Sequence, residues 1–211
     1  MADARSTRPP ARFTATVARG LRESAVIVVA AFALVLLTAL ATYSPSDPGF
    51  SFTGTGAVQN RIGPFGAWLA DVLFFLFGRP AFLFPLMLGV AAVALHRAAR
   101  DGEAGSRANS AVRACGFLLV LLTSCALATL HWAPRSLPQT AGGVIGSLVG
   151  GGLGAALGLL GATLALLALF MAGVSLAFGV SWFTIMDRIG AAAWGAIGWI
   201  RERRLAASDA A

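Results

Sequence analysis

The chain has 211 residues, of which 57% are hydrophobic and only 12% are charged. This number of charged residues is too small to cover the surface of a water-soluble protein of this size. The composition therefore excludes an ordinary soluble domain and indicates a protein solvated by lipid. All sixteen basic residues are arginine, and the formal net charge is +7. Because no lysine occurs, the chain cannot carry a Walker lysine or a Schiff-base lysine.

The first apolar segment predicts a transmembrane helix at 24–43, preceded by a basic cytoplasmic tail at 1–23. It is uncharged and about as long as the roughly 20 residues that cross a bilayer. Arg22 and Glu23 bound it on one side, and Tyr43 with the following prolines bounds it on the other. A cleavable signal peptide is disfavoured, because the apolar core is too long and no clear cleavage site follows. An extracytoplasmic loop is predicted at 44–65.

The next apolar stretch, 65–95, is too long for a single span. As one straight helix it would measure about 46 Å against a hydrocarbon thickness of about 30 Å. Asp71, Gly78, Arg79 and Pro80 divide it. We therefore predict an interfacial amphipathic helix at 66–78 and a second span at 79–96, which Pro85 could kink.

The second half repeats this layout. A charged segment at 97–113 predicts a cytoplasmic loop, and apolar residues at 114–131 predict a third span that ends at His131 and Trp132. A short outer loop at 132–141 follows. The uncharged residues from 141 to 182 are again too many for one span, so we divide them into a Gly-rich helix at 142–158 and a fourth span at 159–181. Whether the helices at 66–77 and 142–158 lie flat or re-enter the membrane stays open.

Arginines give the orientation. Thirteen of them lie in the N-terminal tail, the central loop or the segment after 181, whereas only Arg61, Arg79 and Arg135 lie in the two other loops. The positive-inside rule then places both termini in the cytoplasm. The predicted fold class is an all-α integral membrane protein with four transmembrane helices, N-in/C-in. Two short amphipathic or Gly-rich helices lie on its extracytoplasmic side, and residues 182–211 form a cytoplasmic interfacial helix and the start of a linker.

Two motifs indicate a family. YSPSDPGF at 43–50 closes the first span, and GAWLADVLFFLFG follows at 66–78. Together they resemble the membrane-anchoring N-terminal region of the FtsK/SpoIIIE DNA translocases, and GVSW at 179–182 is similar to the end of that region's last span. The resemblance implies a bacterial inner-membrane anchor at the division septum that contacts other division proteins. It also implies a cytoplasmic DNA-pumping ATPase after a linker starting near Arg204, and a hexamer formed mainly through that motor.

Candidate sites are few, and each has alternatives. Asp71 is interpreted as a surface or capping acid of an interfacial helix, as a helix–helix partner, or as part of a transport path. The loop after the first span is either a hydrated turn containing Asp47 or a recognition loop with exposed aromatic residues. The candidate partner contacts are Tyr43, Pro45, Asp47, Pro48, Phe50, Trp68 and Asp71.

A glycine recurs at every fourth position of the Gly-rich segment. On a helix this spacing forms a ridge without side chains, which favours close helix packing within or between chains over a flexible connector. The positions are Gly142, Gly146, Gly150, Gly154 and Gly158. Cys115, Cys125 and His131 do not form a four-ligand metal set. No catalytic, cofactor-binding or metal site is predicted in this chain, and ATP and Mg²⁺ are expected only in the motor that the resemblance implies.

The function that follows is a membrane-anchoring and division-site assembly domain, which is not an enzyme by itself and reaches DNA only through the motor. The alternative is a small polytopic transporter or channel subunit, encouraged by the weak two-fold repeat. The basic tails are explained by topology and attraction to anionic lipid, with a nucleic-acid contact as the second interpretation.

Overall fold

The computed structural model describes residues 11–53, 56–101, 107–133 and 137–209, and over these ranges the chain is helical without strands. Parts of the predicted N-terminal tail, of all three loops and of the C-terminal segment lie outside the described residues: 1–10, 54–55, 102–106, 134–136 and 210–211. The helices are α1 (Ala11–Ala41), α2 (Pro64–Phe77), α3 (Leu83–Asp101), α4 (Arg107–His131), α5 (Gly143–Phe178) and α6 (Trp182–Asp209). A 3₁₀ turn at Arg79–Phe82 precedes α3.

By length and composition, three helical segments in the described residues could cross a membrane: Glu23–Ala41, Ser110–His131 and Gly143–Phe178. The predicted second span differs from expectation, because its apolar segment, Arg79–Ala94, is shorter and begins with the 3₁₀ turn. Helix α5 is long enough to hold both predicted segments. At Gly158 its backbone is non-helical, with φ 69° and ψ 170°, so α5 consists of two segments that meet at a kink.

The helices continue into the charged segments on either side of the central loop. Helix α3 runs to Asp101 and α4 begins at Arg107, so the loop is shorter than the predicted 97–113. Helix α1 likewise begins at Ala11, inside the predicted tail. Alanine and arginine, which are frequent there, both have high helix propensity and so favour continuation of the helix into these segments.

The first helical hairpin is formed by α1 and α3, with α2 across its end. Its core is a cluster of buried apolar residues contributed by α1, α2 and the 3₁₀ turn: Leu36, Ala39, Leu40, Ala70, Phe74 and Ala81. Three of the six are alanines, so the backbones approach closely. We call the end of the molecule that contains residues 42–63 and α2 the loop end.

The second helical hairpin is formed by α4 and α5. After Gly158, α5 runs antiparallel to α4: Thr163 is hydrogen-bonded to His131 at 2.8 Å, and Gly173 lies against Val120 and Gly116. Near the other end, Gly116 lies against the backbone of Leu176 and Ala177. The second segment of α5 therefore follows α4 over most of the length of α4.

The first segment of α5 crosses α4 obliquely. Gly142 and Gly146 lie against Cys125 and Thr129, whereas Gly154 lies against Leu130. The eight residues from Gly146 to Gly154, about 12 Å of helix, thus advance over at most about 7.5 Å of α4, from Cys125 to Leu130. Such an angle is typical of a helix that lies across the end of a bundle.

A backbone junction joins the two hairpins. The amide N–H of Arg79 donates to the carbonyl of Ala141 at 2.8 Å, and the thiol of Cys125 donates to the carbonyl of Phe77 at 3.4 Å. Gly78 and Gly143 both have positive φ, 61° and 66°, and each lies against backbone of the other hairpin. Only glycine adopts these conformations at no steric cost, and a side chain at either position would also collide with that backbone.

The contrast between packed and open glycines of α5 gives a stability test. A methyl group at Gly146 would collide with the Cys125 carbonyl and the Thr129 hydroxyl, whereas nothing lies within 4 Å of the same position at Gly152. We expect Gly146→Ala to destabilise the fold by about 1–3 kcal/mol through overpacking. The control Gly152→Ala should be neutral or stabilise by about 0.5–1 kcal/mol through helix propensity. Thermal unfolding in detergent, followed by circular dichroism, measures both, and equal shifts would contradict the packing described.

Candidate functional site

The candidate site is the loop that leaves α1 at Ala41 and returns to α2 at Pro64. Its polar residues are tied to two buried carboxylates, those of Asp47 and Asp71, which are 5% and 4% exposed. Burying a carboxylate is costly unless hydrogen bonds compensate, so these two residues dictate the path of the loop.

Helix α2 presents Asp71 towards the protein interior. The buried positions Ala67, Ala70, Asp71 and Phe74 have the i, i+3, i+4, i+7 spacing of one helical face. Trp68 lies off this face and is 47% exposed. The acid therefore shares its face with apolar core residues.

Asp71 accepts three hydrogen bonds from residues far away in sequence. The Tyr43 hydroxyl donates to Oδ1 at 3.0 Å, and Ser51 donates from its hydroxyl to Oδ1 at 2.8 Å and from its amide to Oδ2 at 2.6 Å. A side chain at Gly49 would come within 2.7 Å of Asp71 Oδ2, so glycine is required for this approach. The expectation that Asp71 is a surface or capping acid is therefore wrong, because the loop folds over it and supplies donors that replace water.

Tyr43 connects this network to the apolar core. Its ring lies 4.8 Å from that of Phe74, and its hydroxyl donates to Asp71. Burial, and secondly the nearby Asp71 carboxylate, raise the pKa of Tyr43 well above its usual value. A phenol is protonated at physiological pH even at its usual pKa of about 10, and this shift favours the same state, which a donor requires.

Asp47 organises the other end of the loop. Its two carboxylate oxygens accept the amide N–H groups of Gln59 and Asn60, at 2.8 and 2.9 Å. The sequence-based expectation that Asp47 stays hydrated in its turn is wrong, since two backbone donors replace water.

Asn60 then closes the end of α1. Its side-chain amide donates to the carbonyl of Ala39 at 2.8 Å, and its side-chain oxygen accepts the amide of Ile62 at 3.0 Å. The carbonyls in the last turn of a helix lack partners within the helix, and Asn60 supplies one of the missing donors.

Ser51 and Asn60 are site residues that the sequence analysis missed. Ser51 binds an acid 20 positions away, and Asn60 binds a carbonyl 21 positions away. No local spacing connects such partners. One feature of the sequence could have pointed to Asn60: its side chain carries both donors and acceptors, and it immediately precedes the turn into α2.

The candidate partner contacts thus fall into two groups. Tyr43, Asp47 and Asp71 hold the loop from inside. Phe50 and Trp68 are 60% and 47% exposed, Pro45 is exposed and Pro48 is half-buried. Phe52, which is also exposed, extends this group. We call Pro45, Phe50, Phe52 and Trp68 the exposed aromatic surface; Phe50 is held in it by an edge contact with Phe75 at 5.4 Å.

The predicted glycine ridge is divided in the same way. Gly142, Gly146 and Gly150 lie directly against α4, and Gly154 is in ordinary contact with Leu130. Gly158 differs from expectation, because nothing lies within 4 Å of the place a side chain would occupy and its φ is positive. It forms the kink of α5 and no part of the packing face.

The chemistry of these sites is structural. The donors around the two acids fix the loop: Asp47 accepts two backbone amides, and Asp71 accepts the hydroxyls of Tyr43 and Ser51 and one backbone amide. Cys115 is exposed, Cys125 donates to a backbone carbonyl, and His131 bonds to Thr163. In the part of the chain that the structure describes, no three His, Cys, Asp or Glu residues are grouped so as to hold a metal ion.

Comparisons with known proteins match this chain over most of its length. A family profile described as the 4TM region of DNA translocase FtsK/SpoIIIE matches residues 18–190. The chain is similar to DNA translocase FtsK of Pseudomonas putida, with 40% identity over 172 residues covering 81% of this chain and 21% of that protein. It is also similar to DNA translocase FtsK of Pseudomonas syringae pv. syringae, with 38% identity over 173 residues covering 81% and 22%.

A third relative is DNA translocase FtsK 2 of Ralstonia nicotianae, with 37% identity over 190 residues covering 86% of this chain and 24% of that protein. The chain therefore spans between a fifth and a quarter of the length of these relatives. No solved structure matches it.

The two carboxylates predict that each acid protects a different protease site in the loop. Asp71→Asn removes the charge and replaces one acceptor oxygen by an amide donor, so Ser51 loses at least one hydrogen bond and chymotrypsin should cut after the neighbouring Phe50 and Phe52 about tenfold faster. Asp47→Asn leaves one acceptor oxygen for the two amides of Gln59 and Asn60, so one of them loses its partner and trypsin should cut after Arg61 faster by a similar factor. Limited proteolysis of the full chain in detergent, with fragments identified by mass spectrometry, measures both rates. Each variant is the control for the other, and acceleration of both sites by either variant would contradict two separate attachments.

Proposed function

The chain belongs to the family of the 4TM region of DNA translocase FtsK/SpoIIIE, and we propose that it fixes an FtsK-type translocase to the bacterial inner membrane at the division septum. It is the membrane-anchoring part of an FtsK-like protein and lies outside the ATPase motor. The observation that carries the proposal is the family match over residues 18–190, which includes every apolar helix described above.

The proposed topology has four spans with both termini in the cytoplasm. It is supported by the arginine distribution and by the kink at Gly158, which leaves the second segment of α5 antiparallel to α4. The loop end, with Asp47, Asp71 and the exposed aromatic surface, then faces away from the cytoplasm. Helix α6 lies along the cytoplasmic lipid surface, where Phe183 and Trp194, 81% and 76% exposed, are suited to the interface.

The translocase activity itself is assigned to a motor outside this chain. That motor would bind ATP and Mg²⁺, contact DNA and form the hexamer, whereas these helices hold it at the membrane. The exposed aromatic surface is the proposed contact for other division proteins. Exposed aromatic side chains are enriched in protein–protein interfaces, and Phe50, Phe52 and Trp68 are each about half exposed or more.

A transporter function is less well supported. Such proteins place polar groups along a path through the membrane. Three of the four buried polar residues among the described positions instead lie at the loop end: Asp47 and Asn60 in the loop and Asp71 on α2. The hydrogen bonds they make are with that loop and the end of α1.

Reporter insertions test the proposed topology. Alkaline phosphatase, which is active only after export, should be active when inserted after Gly56 and inactive when inserted after Gly105. A green fluorescent protein reporter at the same two positions should give the opposite pattern. Alkaline phosphatase activity after Gly105 would overturn the orientation.

Septal localisation tests the proposed function. A fluorescent fusion to the chain should concentrate at midcell in dividing cells, and Phe50→Ala with Trp68→Ala should reduce that enrichment severalfold if the exposed aromatic surface binds division proteins. The matched control, Phe183→Ala with Trp194→Ala, removes the same two residue types from α6 and should keep the midcell signal. A uniform membrane signal from the unmodified chain would argue against the septal role.

A further inference from the structure

An open groove of about 400 Å³ lies at the loop end, between the last turn of α1 and the segment before α5. Leu40, Phe74, Phe82 and Leu137 form its apolar walls, and Arg79 and Tyr43 are its polar lining residues. Its volume falls within the range of about 300–1,000 Å³ that is typical of small-molecule sites. Neither the anchoring function nor the exposed aromatic surface uses this groove.

Arg79 is fixed in place at this groove. Its backbone amide is bonded to Ala141 in the junction between the hairpins, and its guanidinium lies 5.7 Å above the centre of the Trp132 ring. The two carboxylates of the loop end accept hydrogen bonds from Tyr43, Ser51, Gln59 and Asn60. Among the described residues, neither a hydrogen bond nor an ion pair joins Arg79 to either carboxylate.

We propose that this groove binds one anionic phospholipid, with the headgroup phosphate on Arg79 and part of an acyl chain against Ala41 and Phe82. Guanidinium binds phosphate through two parallel hydrogen bonds, which makes arginine well suited to this headgroup. The groove lies at the end of the apolar segment Glu23–Ala41, which in the proposed four-span topology, on which this inference rests, is where hydrocarbon gives way to headgroups. Charge and position together select a ligand that is acidic at one end and apolar at the other.

A peptide segment of a partner protein fits the groove less well. A peptide brings backbone N–H and C=O groups that need partners when buried. The lining side chains offer a peptide few partners: the hydroxyl proton of Tyr43 is already donated to Asp71, which leaves its oxygen as an acceptor, and the guanidinium of Arg79 can only donate. A phosphate needs only donors, and an acyl chain needs neither donors nor acceptors.

Native mass spectrometry of the full chain tests this site. The chain is released from nanodiscs that contain equal amounts of phosphatidylglycerol and phosphatidylcholine with identical acyl chains. We expect the one retained lipid to be phosphatidylglycerol about fivefold more often, which corresponds to about 1 kcal/mol for one arginine at an anionic lipid. Arg79→Gln should bring this ratio to about one, whereas Arg79→Lys should keep part of the preference because the charge remains.

Two further variants separate this site from general electrostatics and from misfolding. Arg61→Gln removes an exposed arginine from the same loop end and should leave the ratio unchanged. Ala41→Phe fills the groove without altering any charge and should lower the retention of both lipids. Helical content of each variant, measured by circular dichroism, identifies any that does not fold. The proposal would be overturned if the unmodified chain showed no preference, or if Arg61→Gln lost the preference as fully as Arg79→Gln. Undiminished lipid retention in Ala41→Phe, or a bound peptide in place of lipid, would also overturn it.

Discussion

The structure depends on one constraint: backbone N–H and C=O groups must find hydrogen-bond partners where the helices break. In a lipid environment every N–H and C=O group that leaves a helix needs another partner. The chain leaves helical geometry at Gly78 and again at Ala141–Gly143, and these two breaks lie against each other with the amide of Arg79 on the carbonyl of Ala141. One contact thereby satisfies polar groups of both breaks and joins the two hairpins. Glycine is needed on each side because no side chain fits between the backbones.

The carboxylate of Asp71 applies the same principle to a side chain. An acid on the buried face of α2 would destabilise the fold if it were left without donors. The loop supplies them from Tyr43 and Ser51, and Gly49 allows the approach. Because the acid and the loop each require the other, the exposed aromatic surface is held on a rigid base. A contact surface of this kind loses little entropy when a partner binds.

The sequence predicts the helices of this protein better than it predicts their contacts. The break between α2 and α3 is predicted from Gly78, Arg79 and Pro80, because glycine and proline restrict or free the backbone dihedral angles at their own positions. Asp71 could be singled out, since an acid among apolar residues is conspicuous, but its burial depends on Tyr43 and Ser51, which lie 28 and 20 positions away. Local periodicity carries no information about partners at such distances.

The glycines of α5 also show that spacing does not predict contacts, and the connection between α5 and α6 has a mechanical consequence. Even spacing predicts the same role for Gly158 as for the four glycines before it, although Gly158 itself makes no packing contact with α4. Further on, only Gly179–Ser181 separate α5 from α6, and the indole of Trp182 is bonded back to Met171. Tension applied to α6 is therefore passed directly into α5 and tends to slide it lengthwise along α4. Sliding requires the close contacts from Gly116 to His131 to yield together, so an interface of individually weak contacts resists force collectively.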